Sequence, residues 1–232
     1  MMSSLKKFSN LKQKLKTKKS ILAFSSSSVF AQLLTMVYML ILARYLGPDR
    51  FGIFITPFTI SNLTSIIFSL GLDTWLLQSD SVKTPVLNTT GKVFNLKLLT
   101  GTIWALLLIT IAPSFRPDLY PLILLSLSVL DVWSDSLLHT LLASLNATRK
   151  IKKYSFLILF SRGIRVITLL LLISLNAKDL LLIAGVRACL TVVSLLLALV
   201  LVKPNKNVLI NREGFKILKL AQPFAFSEFL SL

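Results

Sequence analysis

Negative charge is nearly missing from this chain: 232 residues carry 9 Asp+Glu against 26 Lys+Arg, a net charge of +17. Charged residues of both signs make up only 15% of the chain, while 54% are apolar and the mean hydropathy is +0.77. That excludes an ordinary soluble basic domain, whose surface would need about a quarter of the chain to be charged. Glycine and proline number 8 each, which excludes collagen-like and low-complexity classes, and the hydrophobicity excludes intrinsic disorder. A single cysteine, Cys189, excludes a disulfide scaffold; it stands in an apolar run and reads as a packing residue. The solvent of such a chain is lipid.

A helix needs about 20 mostly apolar residues to cross about 30 Å of hydrocarbon. Six blocks meet that need, roughly Ile21 to Ala43, Phe51 to Leu72, Val93 to Ala112, Leu119 to Leu145, Tyr154 to Leu175 and Leu180 to Val202. A seventh starts near Phe215 and is still apolar at Leu232, as in a fragment or a naturally shortened half. The expected class is an all-α integral membrane protein, a six-helix transmembrane bundle plus the start of a seventh helix. Its segments are a basic leader at 1–20, the six-span lobe at 21–202, a linker at 203–214 and the incomplete span at 215–232. The leader is not followed by a small-residue cleavage site, and the first block is longer than a signal peptide's apolar region, so the first span is expected to be retained. Leu5, Phe8, Leu11 and Leu15 recur there at helical spacing among lysines. Either an amphipathic helix on anionic headgroups or a disordered positive tail fits that pattern. No aromatic-studded basic domain lies outside the spans, so no nucleic-acid partner is expected.

Charge placement orients the bundle. With the N-terminus in the cytoplasm, the inner segments hold nineteen basic residues, from Lys6 to Lys19, then Lys83, Lys92 and Lys97, then Arg149 to Lys153, then Lys203 to Lys219. The outer connections hold four, Arg44, Arg50, Arg116 and Lys178. This asymmetry satisfies the positive-inside rule for a multi-pass protein with its N-terminus in the cytoplasm. The outer connections are short, which makes neighbouring helices antiparallel hairpins.

Three basic residues then remain for the membrane interior: Arg162 and Arg165 in the fifth span and Arg187 in the sixth. The fourth span carries Asp131, Asp135 and His139 at i, i+4 and i+8, all on one stripe of the helix. Five formal charges facing acyl chains would cost on the order of 15 kcal/mol, so they must face one another or water. In an antiparallel hairpin, Asp131 lies at the depth of Arg165 and Asp135 at that of Arg162, with Arg187 close to the upper pair. Two interhelical ion pairs and one surplus arginine are expected. The pairs either fix helix register or border a site, and for the aspartates both readings stand. Three guanidinium groups against two carboxylates leave a cationic interior suited to the oxygens of a phosphate. His139 reads as a hydrogen-bonded residue near the inner interface, with a proton-carrier role as the alternative. Ser25, Ser28, Gln32 and Thr35 line one face of the first span, and Pro57, Ser61, Thr64 and Ser65 one face of the second. Such stripes line polar cavities or pack helices closely, and packing is the preferred reading.

Between the first two spans the chain reads Arg44-Tyr45-Leu46-Gly47-Pro48-Asp49-Arg50-Phe51-Gly52. This turn resembles the first loop of polysaccharide flippases, the O-antigen and exopolysaccharide translocases of the multidrug/oligosaccharidyl-lipid/polysaccharide superfamily. The residues that carry the motif are Arg44, Gly47, Pro48, Phe51 and Gly52. Gly71-Leu72-Asp73 and Lys219-Leu220-Ala221-Gln222-Pro223-Phe224 resemble further parts of that family. The resemblance implies two six-helix lobes around a cationic cavity that passes a polyprenyl-diphosphate-linked oligosaccharide between leaflets by alternating access. This chain matches the N-terminal lobe only, so its partners would be membrane lipid, the lipid-linked oligosaccharide, and a missing C-terminal lobe or a second copy. On this reading Arg162, Arg165 and Arg187 bind substrate, while Asp131, Asp135 and His139 pair with them or couple transport. No enzyme activity, cofactor or metal is expected. Three alternatives stand beside it: a non-transporting remnant or homodimerising half, a drug or cation exporter of the same superfamily, and a membrane phosphotransferase using Asp131 and Asp135.

Overall fold

The structure is a computed structural model that describes residues 2–69, 71–79, 86–115 and 121–204. These form α1 (Met2–Leu46), α2 (Pro48–Ser69), α3 (Leu72–Ser79), α4 (Val86–Phe115), α5 (Leu122–Ala147), α6 (Ile151–Ser174) and α7 (Leu180–Val202), with no strand among the described residues. The expected linker after Pro204 and the span from Phe215 lie outside the described residues.

Among the described residues, five helices are long and apolar enough to cross a membrane: Phe24–Leu46 of α1, Thr89–Ile111 of α4, and α5, α6 and α7 in full. The protein is therefore a multi-pass membrane protein. The second of the six expected spans is α2, whose 22 residues match a span in length but fall short in apolarity. Thr56, Pro57, Thr59, Ser61, Asn62, Thr64 and Ser65 dilute it. α1 runs without a break from the basic leader into the first span. An eight-residue helix, α3, precedes α4 on what was expected to be a plain inner connection.

The α1–α2 reversal is built by the motif turn. Gly47 takes φ +75°, a conformation that costs an L side chain and suits glycine, and Pro48 opens α2 at the position where its missing N–H is no loss. Gly52, by contrast, has open space where a Cβ would go, so sterics do not demand glycine there. Arg50 reaches from this turn to the Lys178 carbonyl at 3.4 Å, linking it to the α6–α7 connection, and Phe51 packs against the cluster of Leu42, Phe54 and Ile183.

The organising element is α5, half of whose span is buried against α2, α3, α4, α6 and α7. Its most extensive partner is α7, while α6 lies mainly against α1. Small hydroxyl residues let these helices approach, as at Ser61 with Ser128 (2.9 Å) and Ser27 with Ser155 (3.0 Å). Ser128 also donates to the Pro57 carbonyl at 3.2 Å. The single cysteine corrects its expected packing role: Cys189 is exposed on the outer face of α7.

At Gly101 of α4 the helices meet closely: an added Cβ would lie 2.4 Å from Trp133 Nε1 and 2.6 Å from its Cδ1. Gly101→Ala should therefore force α4 and α5 apart or displace the indole, at a cost of about 1–3 kcal/mol. A lower unfolding midpoint in detergent, with altered tryptophan emission, is the expected result.

Candidate functional site

Helix geometry turns four sequence stripes towards one space. Positions four apart lie on one face, so Asp131, Asp135 and His139 share a side of α5, and Arg187 and Thr191 share a side of α7. Arg162 and Arg165 do the same on α6, and Ser28, Gln32 and Thr35 on α1. Together with Asn62 of α2, these residues apart from Thr191 line a cavity of about 520 Å³. The α1 stripe thus lines a cavity and corrects the preferred packing reading, whereas Ser61 on α2 is a buried packing residue. Ser25 is exposed and lies off the cavity lining.

The charges interlock more closely than two separate pairs. Arg162 Nη2 and Arg165 Nη2 each donate to Asp135 at 3.0 Å, one to each carboxylate oxygen. Asp131 takes Arg187 Nε at 3.0 Å, lies 3.7 Å from Arg165, and accepts the Thr191 hydroxyl. Arg165 Nη2 also donates to Thr191 at 2.7 Å, so this hydroxyl ties the two halves together. Arg187 is therefore not the surplus cation of the sequence reading. It pairs with Asp131 because α7 packs along α5, while Arg165 bridges both carboxylates from α6. Its guanidinium also sits 4.2 Å from the Phe58 ring centroid and 5.5 Å from that of Tyr38, a cation–π contact that adds to its desolvated pairing.

Burial is graded across the cluster. Asp131 is 2% exposed, while the Asp135 side chain is 23% exposed and that of His139 47%. Arg162 Nη2 reaches His139 Nε2 at 3.2 Å, with the guanidinium donating and the imidazole accepting. Arg165 Nε and Arg187 Nη1 are buried without a hydrogen-bond partner. Three arginines against two aspartates give the cluster a net positive charge with His139 neutral, and all three arginines line the polar cavity.

A second buried charge was missed by the sequence reading, which placed Lys97 in an inner connection. It is 1% exposed within α4, and its ammonium group donates to Asp73 at 2.7 Å, to the Ser136 carbonyl at 3.1 Å and to Thr140 at 3.2 Å. Thr140 in turn donates to the other Asp73 oxygen at 2.7 Å. All three ammonium donors are thus used, and α3 is pinned to α4 and α5. The signal was present, since Lys97 lies four residues inside the expected third span, but its partner sits on a helix that apolar blocks do not reveal. Thr191 was missed too, although it stands one turn beyond Arg187 on the same face. Of the family-turn residues, none joins the cavity lining.

A further groove of about 370 Å³, lined by Phe68, Ile103, Trp104 and Leu107 between α2 and α4, carries no charge and suits hydrocarbon only. Among the described residues no group of three His, Cys, Asp or Glu side chains gathers as metal ligands would. Comparison with protein families finds that a model described as "Polysaccharide biosynthesis protein" matches residues 17–232. Neither a curated protein nor a solved structure matches the chain.

Proposed function

We propose that this chain, which belongs to the polysaccharide biosynthesis protein family, is a flippase-type transporter lobe that moves a polyprenyl-diphosphate-linked oligosaccharide across the plasma membrane. The observation that carries this reading is the cavity in which Arg162, Arg165 and Arg187 outnumber Asp131 and Asp135 and keep unused donors. Guanidinium forks match phosphate oxygens, and in a low-dielectric site each such bond is stronger than in water. The polar α1 residues Ser28, Gln32 and Thr35 offer hydroxyl and amide groups to the sugar end, and the isoprenoid tail stays in the bilayer beside the bundle. A C-terminal lobe or a second copy supplies the facing wall, and alternating access comes from rocking one half against the other. The nineteen-to-four distribution of basic residues found above supports a cytoplasmic N-terminus. Movement of the anionic headgroup outward is then favoured by an inside-negative potential, by about 2.3 kcal/mol per charge per 100 mV.

This reading assigns no bond chemistry to the protein. Asp131 and Asp135 spend their oxygens on guanidinium and hydroxyl donors, which favours ion pairing over holding a divalent cation for phosphotransfer. A cation exporter would want the opposite charge balance in the cavity. The test is the accessibility of the lipid-linked oligosaccharide to an externally added glycan-cleaving enzyme. Cleavage in cells that carry the protein and none in cells that lack it is the expected result, and equal cleavage in both would overturn the proposal.

A further inference from the structure

We propose that Asp135 is an internal stand-in for the transported anion: it holds Arg162 and Arg165 while the cavity is empty and gives them up to an incoming diphosphate. The inference rests on the anion-cavity reading of the function and goes beyond it by assigning opposite roles to two aspartates one helical turn apart.

The two carboxylates are fixed very differently. Asp131 is 2% exposed and is held by Arg187 Nε, by the Thr191 hydroxyl and by nearby Arg165, donors that come from α6 and α7. It neutralises Arg187 and anchors α5 to α7. Asp135 borders the open cavity with 23% of its side chain exposed, and it holds each arginine by a single hydrogen bond. A guanidinium has five donors, and with Arg165 also bonded to Thr191 and Arg162 to His139, more than half of each fork stays unspent. Arg165 Nε is a buried donor with no partner, which the carboxylate of Asp135 does not satisfy. A diphosphate brings more oxygens and more negative charge than a carboxylate, so it outcompetes Asp135 at the same arginines. The returning carboxylate then speeds release, because it restores the arginine partners that the departing ligand vacates. An empty cavity never exposes two unpaired guanidinium groups to hydrocarbon, and a filled one does not trap its cargo.

The experiment measures binding of inorganic pyrophosphate and of farnesyl diphosphate to the full chain in nanodiscs by calorimetry. Asp135→Asn removes the competing charge and should bind pyrophosphate about tenfold tighter or more. Asp135→Glu keeps the competitor and should bind as the native protein does. Asp135→Ser, which keeps a hydroxyl acceptor, carries the same expectation as Asp135→Asn and serves where the amide variant does not fold. A gain with both probes assigns the displacement to the diphosphate itself, and a gain with farnesyl diphosphate alone assigns it to a lipid-borne headgroup. A purely structural Asp135 would produce weaker or unchanged binding in a folded variant, and that result overturns the inference. If neither probe binds the native protein or any variant, it is the anion-cavity reading that fails and takes this inference with it.

Discussion

Replacing Arg165 with alanine should abolish export of surface polysaccharide in cells whose export depends on this gene. Arg165 is the only arginine of the three whose guanidinium approaches both carboxylates, and it also donates to Thr191. Its loss cancels the net positive charge of the cluster and leaves Asp135 with Arg162 alone among the arginines. Breaking a buried pair by removing one partner costs about 3–5 kcal/mol, so part of the effect will be reduced stability. Two measurements separate the causes. Abundance of the variant in membranes reports folding, while Arg165→Lys keeps the charge but loses the planar fork and its further donors, Nε among them. The lysine variant should accumulate close to native levels and still export poorly. Undiminished export by a normally abundant Arg165→Ala protein would remove the anion-binding role from this cluster.

Removing Lys97 should be the most destabilising single change away from the cavity. Lys97→Met preserves the length of the side chain but leaves Asp73 facing Thr140 without its cation, in a place where the ammonium group was 1% exposed. A broken buried pair costs about 3–5 kcal/mol; Asp73, at 27% side-chain exposure, recovers some hydration, so about 2–4 kcal/mol is expected. The double variant Lys97→Met with Asp73→Asn should regain a large part of that loss, because no uncompensated charge remains. Thermal unfolding in detergent gives the cycle. Strictly additive costs would show that the two residues do not act as a pair and that α3 is held by packing alone.

Much of the architecture is legible in the chain itself. Long apolar blocks gave rise to α1, α4, α5, α6 and α7 because a bilayer leaves a backbone few other ways to satisfy its hydrogen bonds. The motif turn was readable for a local reason, since the Gly47 conformation and the Pro48 helix start depend on near neighbours. Charged stripes on α5 and α6 pointed to one another because a hairpin equates depth with position number, and a lone charge in lipid is too expensive to stand. The reading was weaker wherever polarity blurred an apolar block. Among these places are α2, with Pro57 and Asn62 in its middle, and α3, which is too short to stand out.

Composition and charge alone determined that this is a helical, multi-pass membrane chain with a cationic interior, because lipid penalises every unpaired polar group and so constrains sequence directly. Which residue answers which was settled only by the packing of helices distant in sequence. The contact between α5 and α7 gave Arg187 to Asp131, and that between α5 and α6 let Asp135 hold two arginines. Docking of α3 onto α4 made Lys97 a buried structural cation instead of a surface one. Sequence spacing determines which side of a helix a residue occupies. It carries no record of which neighbour will lie there, and the choice among nearly equivalent charge partners is made by interhelical distance and shared burial.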